Sequence, residues 1–106
     1  MTTEKKYDAM LTLAIPITLE EDVLDFLLQY PHWAAGFSMI DAQGVGQGAS
    51  LRSTMEKVQG RSRRKLVFIV GFDTELRLLL QALSEEIKNP EVAFWISTVS
   101  AFGRLA

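Results

Sequence analysis

Residues 44–65, GVGQGASLRSTMEKVQGRSRRK, separate two halves of the chain that share the same pattern of elements. This stretch is rich in glycine at its start and ends in the basic run 61–65. Residues 52–65 contain six of the eleven Lys and Arg residues of the chain but only one acidic residue, so this segment has a net charge of +5. Such a basic loop on an acidic scaffold favours contact with an anionic ligand or an acidic partner surface, although it is also compatible with a solvated loop. The candidate partner-binding cations are Arg52, Lys57, Arg61, Arg63, Arg64 and Lys65.

The half that precedes this stretch has the pattern strand, helix, strand. Apolar residues alternate over residues 7–15, which predicts a strand. Thr18 and Glu21 have the spacing of a capping box, and the apolar residues that follow lie on one face of a predicted helix that ends before Pro31. Residues 37–42 form a second predicted strand, which leads directly into the glycine-rich stretch.

The half that follows the basic run repeats this order. Residues 66–72 are almost entirely apolar, as in a strand that is covered on both faces. Asp73 can cap the next helix, which Asn89 and Pro90 end. Residues 92–101 form the last predicted strand, again with apolar side chains on both faces.

The order of these elements predicts a single α+β domain over residues 1–106 with the ferredoxin-like βαββαβ arrangement. Right-handed crossovers place both helices on one face of a four-stranded antiparallel sheet. The opposite face would then expose apolar side chains in a single copy. We therefore expect several copies to cover that face in a closed oligomer.

Composition excludes several classes of protein. The chain of 106 residues contains no cysteine, which removes disulfides and thiolate metal sites. It has no signal-peptide pattern and no apolar run long enough to span a bilayer, so we expect a cytoplasmic protein without direct membrane insertion. An isoelectric point near 5.3 disfavours nucleic acid as a partner.

Catalytic and metal-binding patterns have little support. His32 is the single histidine, and it is either a weak candidate metal ligand or an exposed turn residue beside aromatic neighbours. The carboxylates leave an oxygen-ligated Mg²⁺ or Ca²⁺ site open. The serine and threonine residues of the basic stretch have no general base at a recognised spacing. We therefore expect a protein that is not an enzyme.

The element order, together with GFSMIDAQGVGQG at residues 36–48, resembles the PII signal-transduction proteins. In those proteins strand two runs into a Gly-x-Gly turn, which a long T-loop follows. Gly44, Val45 and Gly46 match that turn, so the resemblance implies that residues 44–65 are T-loop-like. The sequence VQGRSRRK at residues 58–65 is similar to a divergent PII-like group that is often encoded near heavy-metal efflux systems.

This resemblance implies a homotrimeric sensor or regulator. PII proteins bind adenine nucleotides in clefts between subunits, and their T-loops dock onto a membrane transporter or another protein. In such a cleft, glycines let backbone N–H groups approach a phosphate. The candidate ligand-binding residues carried over from the family are Gly44, Gly46, Gln47 and Arg104.

The chain departs from the PII pattern at two positions. Residues 88–91 lack the glycines of the second phosphate-binding loop, and Gly48 replaces a basic residue after the Gly-x-Gly turn. Two other functions therefore stay open beside the nucleotide-controlled regulator. One is a CutA-like divalent-cation tolerance protein, which has the same trimeric fold and would bind a divalent metal. The other is a trimeric scaffold.

Overall fold

The computed structural model of the chain describes residues 2–3, 7–45 and 61–106. No helix in these ranges is long and apolar enough to cross a membrane. The strands are β1 (Thr2–Thr3), β2 (Ala9–Pro16), β3 (Phe37–Val45), β4 (Arg61–Gly71), β5 (Ala93–Thr98) and β6 (Gly103–Arg104). The helices are α1 (Glu20–Leu28), preceded by a 3₁₀ turn at Ile17–Leu19, and α2 (Asp73–Glu86).

The four long strands form one antiparallel sheet in the order β3-β4-β2-β5, and β1 pairs with β6 separately. With one helix after β2 and one after β4, this is the ferredoxin-like βαββαβ arrangement. The α+β fold expected from the order of apolar patterns is therefore confirmed.

The core lies between the helices and one face of the sheet. The odd-numbered apolar residues of β2 and β4, such as Leu11 and Ile69, are buried on this face, because successive side chains of a strand point to opposite faces. Both helices contribute their apolar stripes to the same cluster, so they cover the same face of the sheet. The helical residues of this core are Val23, Phe26, Leu27, Leu76, Leu79 and Leu83.

Among the described residues, no helix covers the opposite face of the sheet, which is largely apolar. In the β2–β4 ladder Met10 lies opposite Val70 and Ala14 opposite Leu66. Ile40 on β3 and Trp95 on β5 lie on the same face, and about half of each side chain is accessible, 49% and 46% respectively. A patch of this kind usually marks a contact with another molecule.

The two strands of the β3–β4 hairpin are longer than predicted. β3 continues to Val45 instead of residue 42, and β4 begins at Arg61 instead of residue 66, so the basic run 61–65 belongs to a strand. The prediction treated charge as a sign of a loop. It was wrong here because each of these residues has a partner opposite it, from Asp41 with Lys65 to Val45 with Arg61.

Both helix starts also differ from the prediction. Thr18 lies in the 3₁₀ turn and forms no capping box, and Leu19 at the cap position makes no side-chain bond. Asp73 is the first residue of α2 and does not cap it. The carboxylate of Asp8, from the segment that leads into β2, accepts the backbone N–H of Asp73 at 2.8 Å. A partner 65 residues away in sequence thus replaces the local cap.

We expect Asp8→Ala to lower the free energy of unfolding by about 1 kcal/mol, because the first turn of α2 loses an acceptor for its free N–H groups. Asp8→Asn keeps an oxygen acceptor and should retain most of that stability. Urea denaturation of the two variants and the native chain measures the difference. Equal destabilisation by both substitutions would contradict a capping role for the side-chain oxygen.

Candidate functional site at the base of the central hairpin

The strongest candidate site lies where β3 ends and β4 begins, which we call the hairpin base. A cavity of about 280 Å³ opens there beside the 3₁₀ turn. Two arginines and the exposed carboxylate of Asp41 give it a polar lining. The lining residues are Ile17, Asp41, Ala42, Gln43, Arg63 and Arg64.

Arg64 connects the hairpin base to the turn that precedes β5. Its Nε donates a hydrogen bond to the Ser62 hydroxyl at 3.1 Å, and its Nη1 donates to the Glu91 carbonyl at 2.9 Å. Arg64 lies opposite Pro16, the last residue of β2, so its side chain reaches past the end of that strand. The fixed fork of the guanidinium suits this use, because its donors point in different directions.

Gly44 provides the space in which the Ser62 and Arg64 side chains meet. A Cβ atom at this position would lie 2.6 Å from the Ser62 Oγ and 3.1 Å from the Arg64 Nε. Ser62 lies directly opposite Gly44 in the ladder and is almost completely buried. The glycine is therefore needed for close packing at this point of the strand.

Lys65 lies on the helix-covered side of the same strand and makes two ion pairs. Its Nζ is 2.7 Å from the Asp41 carboxylate across the ladder and 3.6 Å from the Glu20 carboxylate in the first turn of α1. The hydrogen bond and the charge of Lys65 lower the pKa of Asp41. The hydrogen bond with Asp41 in turn raises the pKa of Lys65, with smaller contributions from the charges of Asp41 and Glu20.

The structure brings together only part of the predicted site. Gly44, Arg63 and Arg64 meet at the hairpin base, with Arg63 exposed opposite Gln43. Arg61 is placed by its backbone opposite Val45. The predicted residues Gly46, Gln47, Arg52 and Lys57 lie outside the described ranges.

Arg104 lies at the other end of the sheet of the same copy. It pairs with Thr2, and its guanidinium lies over the Phe102 ring at 5.8 Å. Phe102 packs against Tyr7 at 5.0 Å, near the Gly71 end of β4. Seven residues of strand separate that end from Arg64, about 23 Å at 3.3 Å per residue. Within one copy, Arg104 therefore does not join Gly44.

His32 is an exposed turn residue whose ring lies 5.0 Å from that of Trp33. Trp33 stacks in turn on Tyr30 with an angle of 6° between the ring planes. Among the described residues, no group of three or more His, Asp or Glu side chains could hold a metal ion. The geometry around His32 is therefore that of a packed turn.

Sequence reasoning missed the residues that fix the two cations. Asp41 could have been found, because extending the β3–β4 register places it opposite Lys65. The Glu91 carbonyl could not, because a backbone acceptor carries no signal of its own in the sequence. As a result, Arg64 and Lys65 were predicted as partner contacts, and the structure shows that both also have internal partners.

Gly44→Ala should destabilise the chain by about 1–2 kcal/mol, because the added methyl group must displace the buried Ser62 hydroxyl. Ser62→Ala removes that hydroxyl, so the double variant should lose less stability than the sum of the two single variants. Denaturant unfolding of the four proteins gives the coupling energy. Additive effects would show that the two side chains do not compete for the same space.

The ion pair of Asp41 with Lys65 should make stability depend on pH in a defined direction. The pKa of Asp41 is lowered in the folded chain, so its contribution is present above its ordinary value of 3.8 and is lost as the pH falls through the lower folded value. The pKa of Lys65 is raised, so its contribution is lost above its ordinary value of 10.5. Asp41→Asn should therefore lower the melting temperature at pH 7 and have a smaller effect at pH 2. A deficit that is the same at both values would contradict the ion pair, and added salt should reduce it.

Several solved structures have the same fold as this chain over nearly its whole length. A DUF3240 family protein from Shewanella baltica OS155 superposes with a TM-score of 0.74 and 20% identity, over 93% of this chain and 97% of that one. CPII from Thiomonas intermedia K12 is a nitrogen regulatory PII-like protein bound to ADP, AMP and bicarbonate. It superposes with a TM-score of 0.68 and 12% identity, over 94% of this chain and 97% of that one. CutA from Synechococcus elongatus PCC7942 superposes with a TM-score of 0.65 and 18% identity, over 93% of this chain and 82% of that one.

These solved structures show that the fold is that of PII-like and CutA proteins. No curated protein matches the sequence. The family described as "Protein of unknown function (DUF3240)" matches residues 5–106, which is nearly the whole chain. The chain therefore belongs to the DUF3240 family.

Proposed function

We propose that the chain is a non-enzymatic, homotrimeric PII-like regulator whose hairpin base binds a small anionic ligand. Binding at the base would control how the basic stretch 44–65 engages a partner, such as a membrane transporter. The observation that carries the proposal is the hairpin base itself. It combines a cavity with two arginines and a glycine at the ends of the stretch that connects β3 to β4.

The chemistry of the cavity supports an anion that carries phosphate or carboxylate groups. Arg63 and Arg64 both line it, and a guanidinium donates paired hydrogen bonds to either group. Gly44 leaves the space that the Arg64 side chain occupies beside the cavity. CPII, which shares the fold, is bound to ADP, AMP and bicarbonate, so adenine nucleotides and bicarbonate are the first ligands to test.

The contact between Arg64 and Glu91 gives the regulation a physical basis. An anion that draws Arg64 into the cavity would compete with the Glu91 carbonyl for the same guanidinium. Occupancy would then be coupled to the turn before β5 as well as to the basic stretch. Coupling of this kind requires that the ligand bind the two arrangements with different affinity.

Assembly into a homotrimer is supported by the helix-free face of the sheet. That face carries Met10, Leu66, Val70 and the half-exposed Ile40 and Trp95. A closed ring of copies would remove this apolar surface from water at about 25 cal/mol for each Å² buried. The charge of the basic stretch would then be repeated around the ring, which favours binding to an acidic partner through several contacts at once.

A CutA-like divalent-cation tolerance protein is the second candidate function. The similarity of the fold to CutA favours it, and His32 is its candidate ligand. A divalent metal would need several oxygen or nitrogen ligands, which the described part of one copy does not bring together. The two candidates therefore make opposite predictions about which additive stabilises the protein.

Thermal unfolding in the presence of ATP, ADP, AMP, bicarbonate and divalent cations tests both functions. A ligand at 100 times its dissociation constant should stabilise the folded protein by about 2.7 kcal/mol. Stabilisation by an adenine nucleotide or bicarbonate that is lost in Arg63→Gln would support the anion site. Arg77→Gln is the matched control, because Arg77 is an exposed arginine of α2 that pairs with Asp73 away from the hairpin base. If only a divalent metal stabilises the protein and His32→Ala removes that stabilisation, the result would support the second function instead of the first.

A further inference from the structure

A second cavity lies on the helix-covered side of the sheet, between α2 and the start of β5. Its volume is about 620 Å³, which is within the range of small-molecule sites in proteins. Its wall is largely apolar and comes from α2, from the turn after α2 and from β5. The apolar residues of this wall are Leu80, Leu83, Ile87, Val92 and Phe94. A wall of this composition favours a ligand with an apolar body.

This wall is partly open to solvent. Phe94 is 55% exposed, although it lies opposite the fully buried Leu13. Leu80, Ile87 and Val92 are only partly buried where they pack against the core. A ligand that covers these side chains removes apolar surface from water, which is a favourable contribution to binding.

The charge around the cavity favours an anionic head group on that ligand. Lys88 and Arg77 line the cavity, and none of the described lining residues is acidic, although the chain as a whole has a net charge of −2. Arg77 is already paired with Asp73, since its Nε lies 2.9 Å from that carboxylate. Lys88 forms no ion pair within residues 2–3, 7–45 and 61–106. Lys88 is therefore the cation that is left to pair with an anion.

The turn at one end of the cavity is held by hydrogen bonds. The side-chain oxygen of Asn89 accepts the Glu91 N–H at 2.8 Å, and the Asn89 carbonyl accepts the Val92 N–H at 3.1 Å. Arg64 donates to the Glu91 carbonyl at 2.9 Å. Because the amide oxygen of Asn89 is an acceptor here, its NH₂ group is the donor that remains for a ligand. This end of the cavity is thus formed before a ligand binds, which lowers the cost of ordering it.

The cavity is elongated along α2. Arg77, Gln81 and Ser84 line it, and their spacing of four and three positions places them on one face of the helix. The Ser84 hydroxyl donates to the Gln81 carbonyl at 2.7 Å, so its donor is used inside the helix. From Arg77 to Ile87 the helix rises about 15 Å at 1.5 Å per residue. An extended chain therefore fits the cavity better than a compact ring.

We propose that this cavity binds a free amphipathic carboxylic acid with an unbranched alkyl chain. The carboxylate pairs with Lys88 and accepts a hydrogen bond from the Asn89 NH₂ group. The chain lies along α2 between Leu83 and Phe94 and extends toward Arg77. The site shares no lining residue with the hairpin base. It goes beyond the regulator proposed above, and either proposal can fail without the other.

Titration calorimetry of the native chain with hexanoate, octanoate and decanoate tests the apolar part of the site. Each methylene that becomes buried should tighten binding about fourfold. Acetate has the same head group and almost no chain, so it should not bind at the same concentrations. An affinity that does not rise with chain length would overturn the proposal.

Lys88→Gln tests the head-group contact. We expect it to weaken decanoate binding about fivefold, the loss of one solvent-exposed ion pair. Arg63→Gln is the matched control, because it removes the same charge at the hairpin base and should leave decanoate binding unchanged. Equal weakening in both variants would show attraction by net charge alone and overturn the proposal.

A bulky side chain in the cavity tests its location. Ser84→Trp should prevent decanoate from binding, because the indole occupies the space beside α2. Thr74→Trp makes a similar change at another exposed hydroxyl residue of α2, which does not line the cavity, and should bind decanoate like the native chain. Circular dichroism checks that both variants are folded. The same affinity in both would overturn the proposal.

The helix-free face of the sheet is the other apolar surface that an alkyl chain could contact. Nuclear magnetic resonance separates the two, because Trp95 lies on that face and Val92 lines the cavity. Decanoate should shift the amide resonances of Ile87 and Val92 and leave the indole N–H resonance of Trp95 unchanged. Shifts centred on Trp95 would overturn the proposal.

Discussion

The fixed register between β2 and β4 is the constraint on which the rest of the molecule depends. Leu11 lies opposite Ile69 and Leu13 opposite Val67, and all four are fully buried beneath the helices. A shift by one residue would carry every one of them to the other face of the sheet. The core therefore fixes which side each cation of β4 occupies, including Arg64, which lies opposite the last residue of β2. The geometry of the hairpin base follows from the packing of aliphatic side chains that lie three residues away along the strand, a distance of about 10 Å.

Much of the fold was predictable, because period-two and helical patterns are local properties of the sequence. The order of elements and the single helix-covered face both followed from them. The extent of β3 and β4 was not predictable, since charged residues were read as a loop and the partner of each residue across the ladder was unknown. The cap of α2 was predicted wrongly for a related reason, because it comes from Asp8 and not from a neighbour in sequence.

The candidate site was predictable in its location but not in its internal contacts. Gly44 and the basic run 61–65 do meet, and the glycine is required by the close approach of Ser62 and Arg64. What no pattern indicated is that Arg64 reaches Glu91 and that Lys65 joins Asp41 to Glu20. The positive charge counted along the stretch is therefore partly neutralised inside one copy, and fewer cations are left for a partner than the sequence suggests.

The meeting of Val45 and Arg61 as opposite residues has a consequence for how this family can diversify. The ladder holds Val45 and Arg61, which flank residues 46–60 in the sequence, about 5 Å apart. Lengthening a connection between fixed ends costs only a few tenths of a kcal/mol for moderate insertions. The hairpin is thus a natural position for exchanging one recognition sequence for another while the sheet and its register stay the same.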